Sequence, residues 1–91
     1  MEECTLVTTR QTADCHGRAL ALSYYLVKAC AADGRDVQYG VELRAVCGAE
    51  KSAAHIRGIT ASQPRAQALL AFLAQGTVTP TGLWDVVQDW L

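Results

Sequence analysis

The chain has 91 residues, 8 Lys+Arg against 9 Asp+Glu, a formal net charge of −1, and 51% hydrophobic against 19% charged residues. That balance excludes an intrinsically disordered segment, which lacks apolar surface to bury, and it supplies no basic stripe for a nucleic acid or an anionic membrane. At this length one core is expected, so residues 1–91 read as one domain.

The chain opens Met1-Glu2-Glu3-Cys4, acidic and with no basic segment ahead of an apolar run, so a signal peptide is not expected. No stretch is long and apolar enough to span a bilayer, and a cytoplasmic location is expected. The four cysteines, Cys4, Cys15, Cys30 and Cys47, are an even number in a short chain. Without an export signal they read as buried or half-buried free thiols rather than as a disulfide framework.

The first strand is expected over residues 4–10, where Thr5, Val7, Thr8 and Thr9 are β-branched, and a polar turn from Asp14 to Gly17 follows. It reads as an edge strand. Residues 19–31 place Leu20, Leu22, Tyr24 and Leu26 at alternate positions, the period of a strand with one buried face. Asp33-Gly34 is a hairpin signal, because the central positions of a tight type I′ turn need positive φ. The third strand, 36–47, alternates Val37, Tyr39, Val41, Leu43, Ala45 and Cys47 against Gln38, Gly40, Glu42 and Arg44.

A turn centred on Asp33-Gly34 sets Tyr39 opposite Lys28, Val41 opposite Leu26, Leu43 opposite Tyr24, and Ala45 opposite Leu22. In that register Cys30 lies beside the turn and Cys47 at the far end, which excludes a disulfide between them. A second turn around Gly48 to Lys51 leads to a fourth strand over 52–59. There Ile56 and Ile59 differ in parity, so one of them needs a bulge, with Gly58 as its seat, or lies past the strand end.

From Ser62 the apolar period lengthens to that of a helix. Ser62 is an N-cap candidate, Pro64 suits the first turn, and Gly76 is a stop, giving a helix over 63–75 with Ala66, Leu69, Leu70 and Leu73 on one side and Phe72 flanking it. Thr79-Pro80 repeats the start signal for a helix over 80–91. Its Leu83, Trp84, Val86, Val87, Trp90 and Leu91 fill an arc of roughly 160°, wider than one buried stripe requires. Asp89 near the C-terminal end is unfavourable against the helix dipole and calls for a basic neighbour. The expected class is α+β: an antiparallel β-meander of three to four strands, then two C-terminal helices packed on one sheet face.

Cys4, Cys15, His16, Cys30, Cys47 and His55 are possible metal ligands, but no two follow the short spacing with which one turn presents two donors to zinc, so no metal is expected. A thiol enzyme would need Cys15 with His16 or His55 as base, and no motif around any cysteine supports it. Nucleophile-elbow, P-loop and dinucleotide-binding motifs are absent. Asp85 and Asp89, one helical turn apart, read as an exposed acidic face. No catalytic residue, cofactor or small-molecule ligand is therefore expected.

Two surfaces stand out. The wide arc of the last helix makes Trp84, Val87, Trp90 and Leu91 a candidate protein-interaction or self-association surface, since tryptophan is enriched where interfaces bury their anchors. The outward sheet face carries Tyr25, Arg44, His55 and Arg57, a weaker candidate for nucleic acid, disfavoured by Glu42 on the same face and by the near-neutral charge.

Tyr24-Tyr25-Leu26, Tyr39-Gly40-Val41-Glu42-Leu43 and the closing Pro80-Thr81-Gly82-Leu83-Trp84-Asp85-Val86-Val87-Gln88-Asp89-Trp90-Leu91 resemble a domain-of-unknown-function family of short proteins from anaerobic Gram-positive bacteria. The resemblance spans most of the chain after Ala19. It implies a bacterial domain occupying the whole chain and assigns no activity or catalytic residue.

Overall fold

Alternating apolar residues build four strands, and a computed structural model describes their arrangement over residues 2–13, 16–31 and 34–90. The strands are β1 (Glu2–Ala13), β2 (Ala19–Cys30), β3 (Val37–Cys47) and β4 (Glu50–Thr60). They form one antiparallel sheet in the order β1-β2-β3-β4, a meander with β1 and β4 at its edges. The helices α1 (Gln63–Gln75) and α2 (Leu83–Trp90) follow, with a 3-10 turn at Pro80–Gly82 between them. The sequence-derived class is therefore the observed one.

The β2–β3 register pairs Lys28 with Tyr39, Leu26 with Val41, Tyr24 with Leu43 and Leu22 with Ala45, as the alternation implies. Cys30 pairs with Val37 at one end of the hairpin, while Cys47 pairs with Glu50 at the other. Asp33 of the expected turn and Cys15 lie outside the described residues; Gly34 has a φ of 71° and its amide donates to the Ala31 carbonyl.

The helical layer covers the face bearing Leu22, Tyr24, Leu26, Tyr39, Val41, Leu43 and Ala45. Against it α1 sets Ala66, Leu69, Leu70, Leu73 and Ala74, and α2 sets Leu83 and Val87. Two tyrosines pin the ends of α1 to the sheet. The Tyr24 hydroxyl donates to the Val78 carbonyl at 2.9 Å, and the Tyr39 hydroxyl to Gln63 Oε1 at 3.4 Å. Burial pushes the Tyr24 phenol above its ordinary value, because ionising it would leave a charge among apolar neighbours.

Two glycines of the expected pattern have specific work. Between Val41–Ile56 and Tyr39–Thr60 the β3–β4 register shifts, and Gly58 takes a φ of 67°, so β4 bulges there. Both Ile56 and Ile59 thereby pack against the core despite their parity. The bulge brings β4 backbone onto Gly40: a Cβ there would clash with the Ile56 carbonyl and stand 2.9 Å from Arg57 Cα.

β1 and the start of the final helix depart from expectation, whereas α1 ends at Gly76 as expected. β1 runs from Glu2 to Ala13, longer than 4–10, with a register shift around Val7. The final helix does not begin at Pro80; a 3-10 turn precedes it, and the Thr79 side chain makes no capping bond. At the end of α1, Gly76 has an ordinary φ of −86°, while Thr77 takes the left-handed conformation at 46°. The Val78 amide donates to Leu73 and the Thr77 amide to Ala74, the paired bonds of a Schellman cap in which Thr77 holds the place glycine normally takes.

Candidate functional site

α2 buries less than its composition allows. Leu83 and Val87 sit at the centre of its buried stripe, and Val87, expected on the interaction surface, is 0% exposed. That places Val87 in the core instead. On the rim facing α1, Val86 and Trp90 are half-buried and pack against the core, and the Arg65 guanidinium lies 4.9 Å from the centre of the Trp90 ring. Arg65 thus brings a positive charge to the C-terminal end of α2, where the helix dipole favours one. Leu91 lies outside the described residues.

Trp84 is on the other rim, 56% exposed. At 100° per residue it lies about 160° from Val86 across the buried stripe, too far to share the α1 contact that covers Trp90. Phe72 on α1 is 52% exposed and lines a shallow apolar groove of about 440 Å³ with Gln75, Gly76, Val78 and Val86. The helical layer therefore exposes two aromatic side chains at separate places, one of which the sequence marked. Phe72 was legible as a residue beside the buried stripe, but only the placement of α2 decides whether that flank is covered.

A second groove, of about 500 Å³, lies where the loop after α1 meets the sheet; Thr12, Ser52, Thr77, Thr79 and Thr81 line it over a floor of Leu20 and Ala45. Its hydroxyls carry no charge and offer no nucleophile activated by a base.

The face of the sheet away from the helices holds the residues considered for nucleic acid. Rows across the strands run Leu6, Tyr25, Glu42, His55 and then Thr9, Ser23, Arg44, Ala53. Tyr25, Arg44 and His55 are neighbours, but Arg44 Nε donates to Glu42 at 2.6 Å and its guanidinium lies 4.4 Å from the Tyr25 ring centre. The ring face that a base would stack on is already occupied. Arg57 Nε pairs with Glu2 Oε2 at 2.9 Å, joining the last strand to the first. Each of these two guanidiniums thus faces a carboxylate.

That ion pair spans the sheet at the row of Cys4, Val27 and Gly40. Val27 is 2% exposed although it lies on the face without helices. In the same row Gly40 carries no side chain, which lets the β4 backbone at Ile56 and Arg57 come close beside it. Beside Val27, partial burial and then the carboxylates of Glu42 and Glu2 push the Cys4 thiol up, with Arg44 and Arg57 opposing them. A raised thiol is a poor thiolate nucleophile at neutral pH. Cys15, the cysteine considered for thiol chemistry, lies outside the described residues. Among the described residues, no three of His, Cys, Asp and Glu gather as metal ligands.

The sequence matches the model of a family of unknown function, DUF6514, over residues 3–91. The chain belongs to that family. No curated protein and no solved structure matches it. Membership agrees with the resemblance carried by the tyrosine, glycine and tryptophan motifs and brings no activity with it. Among the described residues, no helix is long and apolar enough to cross a membrane.

Proposed function

We propose that the chain is a protein-interaction module rather than an enzyme, and that Trp84 anchors its helical contact surface. The observation that carries the reading is the exposure of this indole, 56%, on a helix whose other large apolar side chains are covered or half-covered. Tryptophan joins a large apolar area to few rotatable bonds, so seating it in a partner's pocket gains much burial at small entropic cost. An exposed thiol at Cys4 suits a reducing compartment such as the cytoplasm.

The test is sedimentation of the purified chain across the micromolar range, alone and with proteins that co-purify from a cell extract, comparing wild type, Trp84→Ala and Trp84→Phe. Because the side chain is exposed, neither substitution should unfold the domain. The reading expects an association that Trp84→Ala weakens about tenfold or more and Trp84→Phe largely keeps. A wild-type chain that binds neither itself nor any other protein, or an association indifferent to both variants, removes Trp84 as the anchor.

A further inference from the structure

The first strand offers a second surface with a different occupant. Among the described residues β1 pairs only with β2, and no other described strand lies along its other side. Ten of its twelve residues are exposed, including Leu6 and Val7 at its middle. Between Glu2 and Ala13 there is no proline, glycine or lysine, the residues that commonly blunt an edge. β1 has a register shift around Val7, but the opposite edge is blunted further: besides its bulge at Gly58, β4 carries Lys51 and Arg57 and is flanked by the 3-10 turn and α2.

We infer that β1 pairs antiparallel with β1 of a second copy of this chain, joining two four-stranded sheets into one of eight strands. The charges of the strand choose both the partner and the direction. Glu2 and Glu3 stand at its beginning and Arg10 near its end. A parallel copy would set carboxylate beside carboxylate, whereas an antiparallel copy sets each acidic end beside the other's arginine. A two-fold axis between the strands makes the contact self-complementary and closes it at two chains.

The shift around Val7 narrows the register. Before it, Glu3 and Thr5 share the helix-covered side of the sheet with Lys28 and Leu26; after it, Thr8, Arg10 and Thr12 share that side with Tyr24, Leu22 and Leu20. Two copies in one continuous sheet keep corresponding sides together, so Glu3 and Thr5 must oppose even-numbered residues of the other copy. Setting Glu3 opposite Arg10 satisfies this at every position: Thr5 then meets Thr8, Cys4 meets Thr9, and Leu6 meets Val7. The ion pair occurs twice by symmetry, with four exposed apolar side chains between.

This goes beyond the tryptophan surface, which lies on a different element, and it fails separately from it. The test is the concentration dependence of the oligomeric state for wild type, Glu3→Arg, Arg10→Glu and the double variant, with Trp84→Ala alongside. Each single charge reversal should weaken the dimer about tenfold, and the double variant, which restores opposite charges, should regain it. A second measurement does not depend on charge. Thr9→Cys should form an intermolecular disulfide with Cys4 under mild oxidation, since within one strand these positions lie about 16 Å apart and cannot join. Cys4→Ser in that background should abolish the crosslink. A wild-type chain that stays monomeric, a double variant no tighter than the single ones, or a crosslink that persists without Cys4 overturns the pairing. A dimer lost in Trp84→Ala but indifferent to the β1 charges also overturns it, while leaving the tryptophan reading standing.

Discussion

The two edges of the sheet are built on opposite plans. β4 is closed: its bulge lays backbone over Gly40, Arg57 reaches across to Glu2, and the turn at Pro80–Gly82 packs against it. β1 is paired on one side only among the described residues, and its two half-buried residues, Thr8 and Thr12, lie on the helix-covered side. Edge strands in general invite pairing, so leaving one long edge unprotected while elaborately protecting the other concentrates association on the first. The contrast teaches that the closed edge is where the fold spends most of its special geometry, while the open edge carries a single register shift, around Val7.

The largest effect should come from breaking the close approach under the closed edge. Gly40→Ala puts a methyl against the Ile56 carbonyl and the Arg57 backbone, neither of which can swing aside like a flexible side chain. We expect a loss of about 3 kcal/mol in denaturant unfolding, with hydrogen exchange showing β4 released before β1 and β2.

The loop that delivers the 3-10 turn to β4 is held by the Tyr24 hydroxyl. Tyr24→Phe should cost about 1 kcal/mol, the net value of one hydrogen bond whose acceptor then goes unpaired. The same phenol predicts an alkaline dependence. Its ordinary value is 10.0 and burial raises it, so on unfolding it releases its proton at lower pH than in the native chain. Its contribution is complete below pH 10.0 and is lost as pH rises through the elevated native value, because above pH 10.0 the unfolded chain binds fewer protons. Alkaline unfolding curves should show this part of the slope missing in Tyr24→Phe.

Thr77 sharpens the comparison from the other side. A β-branched residue in the left-handed region is strained by roughly 1 kcal/mol, and Thr77→Gly should relieve it. The midpoint of thermal unfolding should therefore rise. If it falls, the Thr77 side chain in the hydroxyl-lined groove is worth more than the strain it imposes.

The smallest effect belongs to the ion pair between the first and last strands. Arg57→Ala should cost about 0.5 kcal/mol, since both partners keep part of their surface in water, and the difference should shrink further in high salt. A salt-insensitive loss would instead assign the effect to apolar packing of the Arg57 stem.

Much of the fold could be read from local pattern. The β2–β3 register followed from alternation and a turn signal, and Ile56 against Ile59 announced the β4 bulge near Gly58. The extent of β1 was less legible, because its exposed residues carry no buried period to mark its ends. Gly76 ends α1 where expected, but the left-handed residue is Thr77 after it, which the glycine signal does not mark. The candidate surface was partly legible. The helical wheel counted Val87 and Trp84 in one arc, and only the direction from which the sheet approaches makes the first core and the second surface.

By itself, then, the sequence determined the meander, its central register, α1, and membership of a family whose members have no assigned activity, because period, turn residues and cap residues act over a few neighbours. Tertiary structure alone decided which flank of α2 remains in water, why Gly40 can bear nothing larger, and how Arg57 meets Glu2 across the sheet. Those outcomes depend on how packed layers approach one another, and the spacing of residues along a strand or helix carries no record of that distance.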